Sequence, residues 1–66
     1  MINDNLPLFE NATITLKQTG RRWRAIVYVN MVRHETRGYL DKEEARTEGI
    51  ALAVSKGALV LQREFV

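Results

Sequence analysis

The chain has no cysteine and a single histidine, His34. A disulfide staple, a thiolate metal site and the usual zinc constellation are therefore excluded, and stability must come from packing. No apolar run approaches the roughly 20 residues that a membrane-spanning helix needs. The first residues, MINDNLPLFEN, show no basic segment followed by an apolar one. These absences lead us to expect a cytoplasmic protein with no membrane association and no cofactor. A chain of 66 residues also has little material to enclose a site, since a domain of about 60 residues buries only about 60% of its unfolded surface.

What is present is ordinary globular composition, 45% hydrophobic and 27% charged. The net charge is only +2, but it is unevenly placed. Arg21, Arg22, Arg24, Arg33 and Arg37 fall in one central segment, and Glu43, Glu44 and Glu48 follow it. Such polarity directs one face toward an anionic partner, or it solvates the surface.

Residues 1–11 carry Asn, Asp and Pro without a period and read as an N-terminal arm. From Ala12 the pattern alternates, with Ala12, Ile14 and Leu16 on one side and Thr13, Thr15 and Lys17 on the other. Gly20 supplies a turn residue tolerant of positive φ. In WRAIVYV, Trp23, Ala25, Val27 and Val29 then share one face, and Arg22, Arg24, Ile26 and Tyr28 share the other. The segment VRHETRGY returns as a third strand with poor alternation, and Gly38 marks a bend or bulge near its end. Its inward parity stays open.

Asp41 fits a helix N-cap, Glu44 the capping-box position, and Leu40 with Ala45 the spacing of a hydrophobic staple. The helix runs to Ser55 or Lys56, with Gly57 as the residue past its end. Ala45, Gly49, Leu52, Ala53 and Lys56 recur on one face, and Gly49 lets the helix backbone approach a thin sheet closely. The expected architecture is α+β: a three-stranded antiparallel sheet packed by one C-terminal helix. Residues 12–57 form this β-β-β-α domain, and residues 58–66 add a C-terminal strand or arm.

No catalytic constellation emerges. Ser55 has no base at a recognisable spacing, Gly20 and Gly38 are isolated, and Glu43 and Glu44 are explained by capping. A lone strand histidine is more often a surface or half-buried residue than a ligand. The parity of Trp23 assigns it to the core beneath the helix.

The order of two strands, the second opening on Trp23, Ala25 and Val27, a third strand, Gly38–Tyr39, and a helix capped by Asp41 with Glu44 and Ala45 resembles the AP2-like DNA-binding domain. It resembles still more closely the arm-type N-terminal domain of phage and transposon tyrosine integrases. The resemblance spans about residues 12–56. It implies that the helix covers one sheet face while the opposite face enters the major groove of double-stranded DNA. On that face it places Thr13, Thr15, Lys17, Arg22, Arg24, Ile26 and Tyr28, joined by Arg21 at the turn. The third strand would add either Arg33 and Arg37 or His34 and Thr36. Arginine can hold guanine in bidentate fashion, and Thr or Lys can meet phosphates or base edges.

Ile26 stands where a polar reader is expected. A second reading is accordingly a small homodimer, or an inhibitory module against a host protein, that uses Ile26, Tyr28 and the apolar C-terminal segment.

Overall fold

The computed structural model describes residues 8–61. Three strands, β1 (Ala12–Thr19), β2 (Arg22–Val29) and β3 (Val32–Glu35), precede one helix, α1 (Lys42–Ser55). The strands form one antiparallel sheet in the order β1-β2-β3, and α1 packs against one face of it. This is the α+β arrangement that the sequence pattern implies.

Both hairpins close through two-residue loops, each by a different conformational route. Between the paired residues Thr19 and Arg22, Gly20 takes φ 63°, a left-handed value at the first loop position that suits glycine and matches the strand twist. Between Val29 and Val32, Asn30 and Met31 both take positive φ, 52° and 69°. Those signs define a type I′ turn, in which Asn is favoured at the first position and Gly at the second. Met31 occupies the glycine position and is 92% exposed.

The third strand is shorter than its sequence suggests. After Glu35, which pairs with Ile26, the next bridge joins Trp23 to Tyr39. Arg24 and Ala25 on β2 thus face three residues, Thr36, Arg37 and Gly38, and the extra residue is a bulge. Thr36 stitches the bulge to the sheet: its Oγ1 accepts from the Ala25 amide at 2.9 Å and donates to the Arg37 carbonyl at 2.9 Å. Gly38 is small for a reason, because a Cβ there would stand 3.1 Å from both Cβ and Cδ of Arg22.

Helix α1 begins where its cap dictates. The Asp41 carboxylate accepts the Glu43 amide at 3.0 Å, satisfying an otherwise unpaired first-turn donor. Leu40 remains 66% exposed, so it contributes little as a staple. At the other end the Gly57 amide donates to Val54 O at 3.0 Å and the Ala58 amide to Ala53 O at 2.9 Å. With Gly57 at φ 100°, this is a Schellman stop.

The core is built from small side chains: Ala25, Val27, Val29, Ala53 and Ala58 are buried, and Phe9, Ala12, Ile14, Leu16 and Leu52 pack around them. Ala45, Gly49 and Ala53 form the buried stripe of α1. Lys56, expected on that stripe, is exposed. Gly49 lies so close to β2 that a Cβ would meet the Ala25 Cβ at 2.5 Å. Trp23, expected in the core, sits half-buried at its margin, with the Lys42 Nζ 4.9 Å from its ring centroid.

The segments flanking the domain meet each other. Phe9 and Val60 form an isolated antiparallel bridge, supported by bonds of 2.8 Å from Glu10 N to Leu59 O and from Leu61 N to Leu8 O. Asn11 clasps the junction. Its Oδ1 accepts the Leu59 amide at 2.8 Å, and its Nδ2 donates to Gly57 O at 3.1 Å and to Asn30 Oδ1 at 3.2 Å. The parts of the N-terminal arm and C-terminal strand or arm at residues 1–7 and 62–66 lie outside the described residues.

Candidate nucleic-acid interface

Alternation along each strand turns the sheet face away from α1 into a grid of side chains. One row across the sheet is Thr13, Tyr28 and Arg33; the next is Thr15, Ile26 and Glu35. Lys17 lies opposite Arg24, and Thr19 opposite Arg22. Four cations and one carboxylate therefore share a face that no described element covers.

The pairing resolves the third strand. Arg33, across from Tyr28, belongs to the open grid, whereas His34 lies across from the buried Val27 on the helix side. Thr36 bonds the Ala25 amide and belongs to the bulge. Arg37 lies in the bulge as well, with its guanidinium 5.5 Å from the Tyr39 ring centroid, outside the strand pairing that places Arg33. Arg21 projects from the second position of the first hairpin loop, exposed at the end of the grid. The open face thus brings together Thr13, Thr15, Lys17, Arg22, Arg24, Tyr28 and Arg33, leaves Arg21 at its tip and holds Arg37 apart.

Glu35 is the residue that an arginine-centred reading of the sequence overlooks. Its Oε2 accepts from Arg24 Nη1 at 2.8 Å, and its Oε1 stands 3.5 Å from Arg33 Nη1. The hydrogen bond from Arg24, followed by the charges of Arg33, Arg24 and Lys17, holds its carboxyl below the ordinary carboxylate value against the opposing effect of desolvation. The signal was available in VRHE: two residues of one parity, Arg33 and Glu35, flank His34, so whichever face takes one takes both.

Like charges directly opposite on neighbouring strands repel. Lys17 facing Arg24 is such a pair, offset by Glu35 on the diagonal. At the glycine end Arg22 lies over Gly38, with Nη1 3.4 Å from the Gly38 carbonyl. At the other end the face turns apolar. Tyr28 is 43% exposed and Met31, at the hairpin tip, 92%, and both border, with Phe9 and Ala12, an open groove of about 730 Å³. Among the described residues no group of three or more His, Asp or Glu side chains is placed to hold a metal ion, and no helix is long and apolar enough to cross a membrane.

No protein-family model matches the chain, and no curated protein or solved structure matches it at a significant level.

Proposed function

We propose that the protein binds double-stranded DNA through the open face of its sheet. One observation carries this reading: Lys17, Arg22, Arg24 and Arg33 converge on an uncovered sheet face whose remaining positions are mostly hydroxyl-bearing. Three strands about 4.8 Å apart make a ribbon roughly 10 Å across, a width suited to a major groove of about 12 Å. Lys17 and the Thr13, Thr15 and Thr19 hydroxyls suit phosphates at the groove wall, while Arg24, nearer the centre, suits a base edge. The acidic first turn of α1, Glu43 and Glu44, disfavours insertion of the helix instead. By the same resemblance, the process served would be regulation of recombination or transcription in a phage or mobile element.

The test is anisotropy of a labelled mixed-sequence duplex at low and moderate salt, joined to amide shifts of the protein. Binding that falls steeply with salt, shifts concentrated at residues 13–28 and a loss of about tenfold in Arg24→Ala with an unchanged fold are expected. A protein that binds no duplex even at low salt overturns the proposal.

A specific observation favours a second reading. Tyr28 and Met31 stand exposed at one end of the open face, with the half-buried Ile26 in the next row, which suits a homodimer or host-protein interface rimmed by arginines. Concentration-dependent mass in sedimentation, with no response to DNA, would mark that outcome.

A further inference from the structure

A carboxylate in the middle of a surface meant only to gather phosphates is a defect. It repels every polyanion and occupies guanidinium donors that would otherwise reach phosphate oxygens. Glu35 is the sole acid of the open grid, and both of its oxygens are turned toward arginines, Arg24 at 2.8 Å and Arg33 at 3.5 Å. It sits in the row of Ile26 and Thr15, between the row of Arg33 and the row of Arg24, and so tethers cations on two adjacent strands at once.

An arginine has five N–H donors in a rigid fork, and a carboxylate engaging one side leaves the others free. A free exposed arginine loses side-chain entropy when a ligand fixes it, and one already held loses less. The tether therefore weakens contacts that need only positive charge and favours contacts that need a fixed plane. A fixed plane is what bidentate recognition of a guanine edge demands, whereas a phosphate accepts a guanidinium from many angles.

We propose that Glu35 is a specificity-determining positioning residue: it holds Arg24, and more loosely Arg33, in orientations that read guanine edges, and it suppresses indiscriminate binding to the DNA backbone. This rests on the DNA reading above and goes beyond it, because it makes the face a reader of sequence.

The experiment uses the full chain and its Glu35→Gln and Glu35→Asp variants. A randomised duplex library is enriched on the wild-type protein, and affinities for the enriched and the mixed-sequence duplexes are compared across salt. Glu35→Gln is expected to bind mixed-sequence DNA several-fold more tightly at low salt, with the log–log salt slope steeper by about one. Its preference for the enriched duplex should fall by roughly tenfold. Glu35→Asp keeps the charge but shortens the reach, so discrimination should fall without a gain on mixed DNA. In the free protein the Arg24 guanidinium NMR signals should be resolved in the wild type and averaged by rotation in both variants, a change that a merely structural role would not bring. If Glu35→Gln keeps the wild-type preference, or gains nothing on mixed-sequence DNA, the inference is overturned while DNA binding stands. If the wild type binds no duplex at all, both fall together.

Discussion

Met31 pairs the greatest exposure among the described large hydrophobic residues with a backbone conformation that L side chains rarely adopt. A methionine in the left-handed region costs about 1 kcal/mol relative to glycine, with little burial to offset it. Met31→Gly should therefore raise the unfolding free energy by about 1 kcal/mol, read as a shift of the urea midpoint at unchanged m. If the same substitution weakens association with a partner, the strain has a use at the hairpin tip.

Glu35 gives a second prediction at this scale. Its carboxyl is held below the ordinary carboxylate value, so the folded state binds that proton less readily than the unfolded chain does. The resulting stabilisation is present above the ordinary carboxylate value and is lost as the pH falls through the lowered one. Acid titrations of unfolding should show this component in the wild type and lack it in Glu35→Gln. Identical pH profiles would mean that solvent screens the pair completely.

At the scale of elements, the buried stripe of α1, Ala45, Gly49 and Ala53, and the buried face of β2, Ala25, Val27 and Val29, carry only small side chains. Ala at position 49 would gain about 1 kcal/mol of helix propensity, yet its Cβ would meet that of Ala25 at 2.5 Å, a clash that only movement of the helix relieves. Gly49→Ala should thus be destabilising by about 1 to 3 kcal/mol net. Ala25→Gly in the same chain should restore part of the loss, and a double-mutant cycle measures the coupling.

This close approach was legible in the sequence, as were the Asp41 cap, the Gly57 stop and the first hairpin, because each rests on local chemistry at a fixed spacing. The orientation of the third strand was not, because the bulge at Thr36 to Gly38 resets the alternation before Tyr39, and no single parity describes residues 32–39. Trp23 was misplaced for a related reason. Its parity points to the helix side, but it pairs near the end of the sheet with Gln18 and Tyr39, beyond the part of α1 that buries Ala25 and Val27. Of the candidate site, the β1 and β2 rows follow directly from alternation. That Glu35 shares a face with Arg33 follows from VRHE, whereas its place diagonal to Arg24 needed the cross-strand register.

For the molecule as a whole, a core of alanines and valines leaves little margin, and peripheral contacts carry weight in proportion. Asn11 joins the hairpin end at Asn30, the helix stop at Gly57 and the returning chain at Leu59. Asn11→Ala removes these bonds together, and a loss of about 1 to 2 kcal/mol is expected. Faster hydrogen exchange at the Leu59 and Leu61 amides should accompany it, with the amides of β2 changed only by the global loss. Unchanged exchange at Leu59 would show that the Phe9–Val60 bridge holds without the clasp.

That bridge also fixes how the unit can be connected to other protein. Leu8 and Leu61 run side by side at the end of the sheet opposite Gly20, so the two ends of the described unit are neighbours. Such a unit is suited to splicing as a cassette into a surface loop of a host protein. The host would be held at the Asn11 end, with the Arg21 hairpin and the cationic grid projecting away from it.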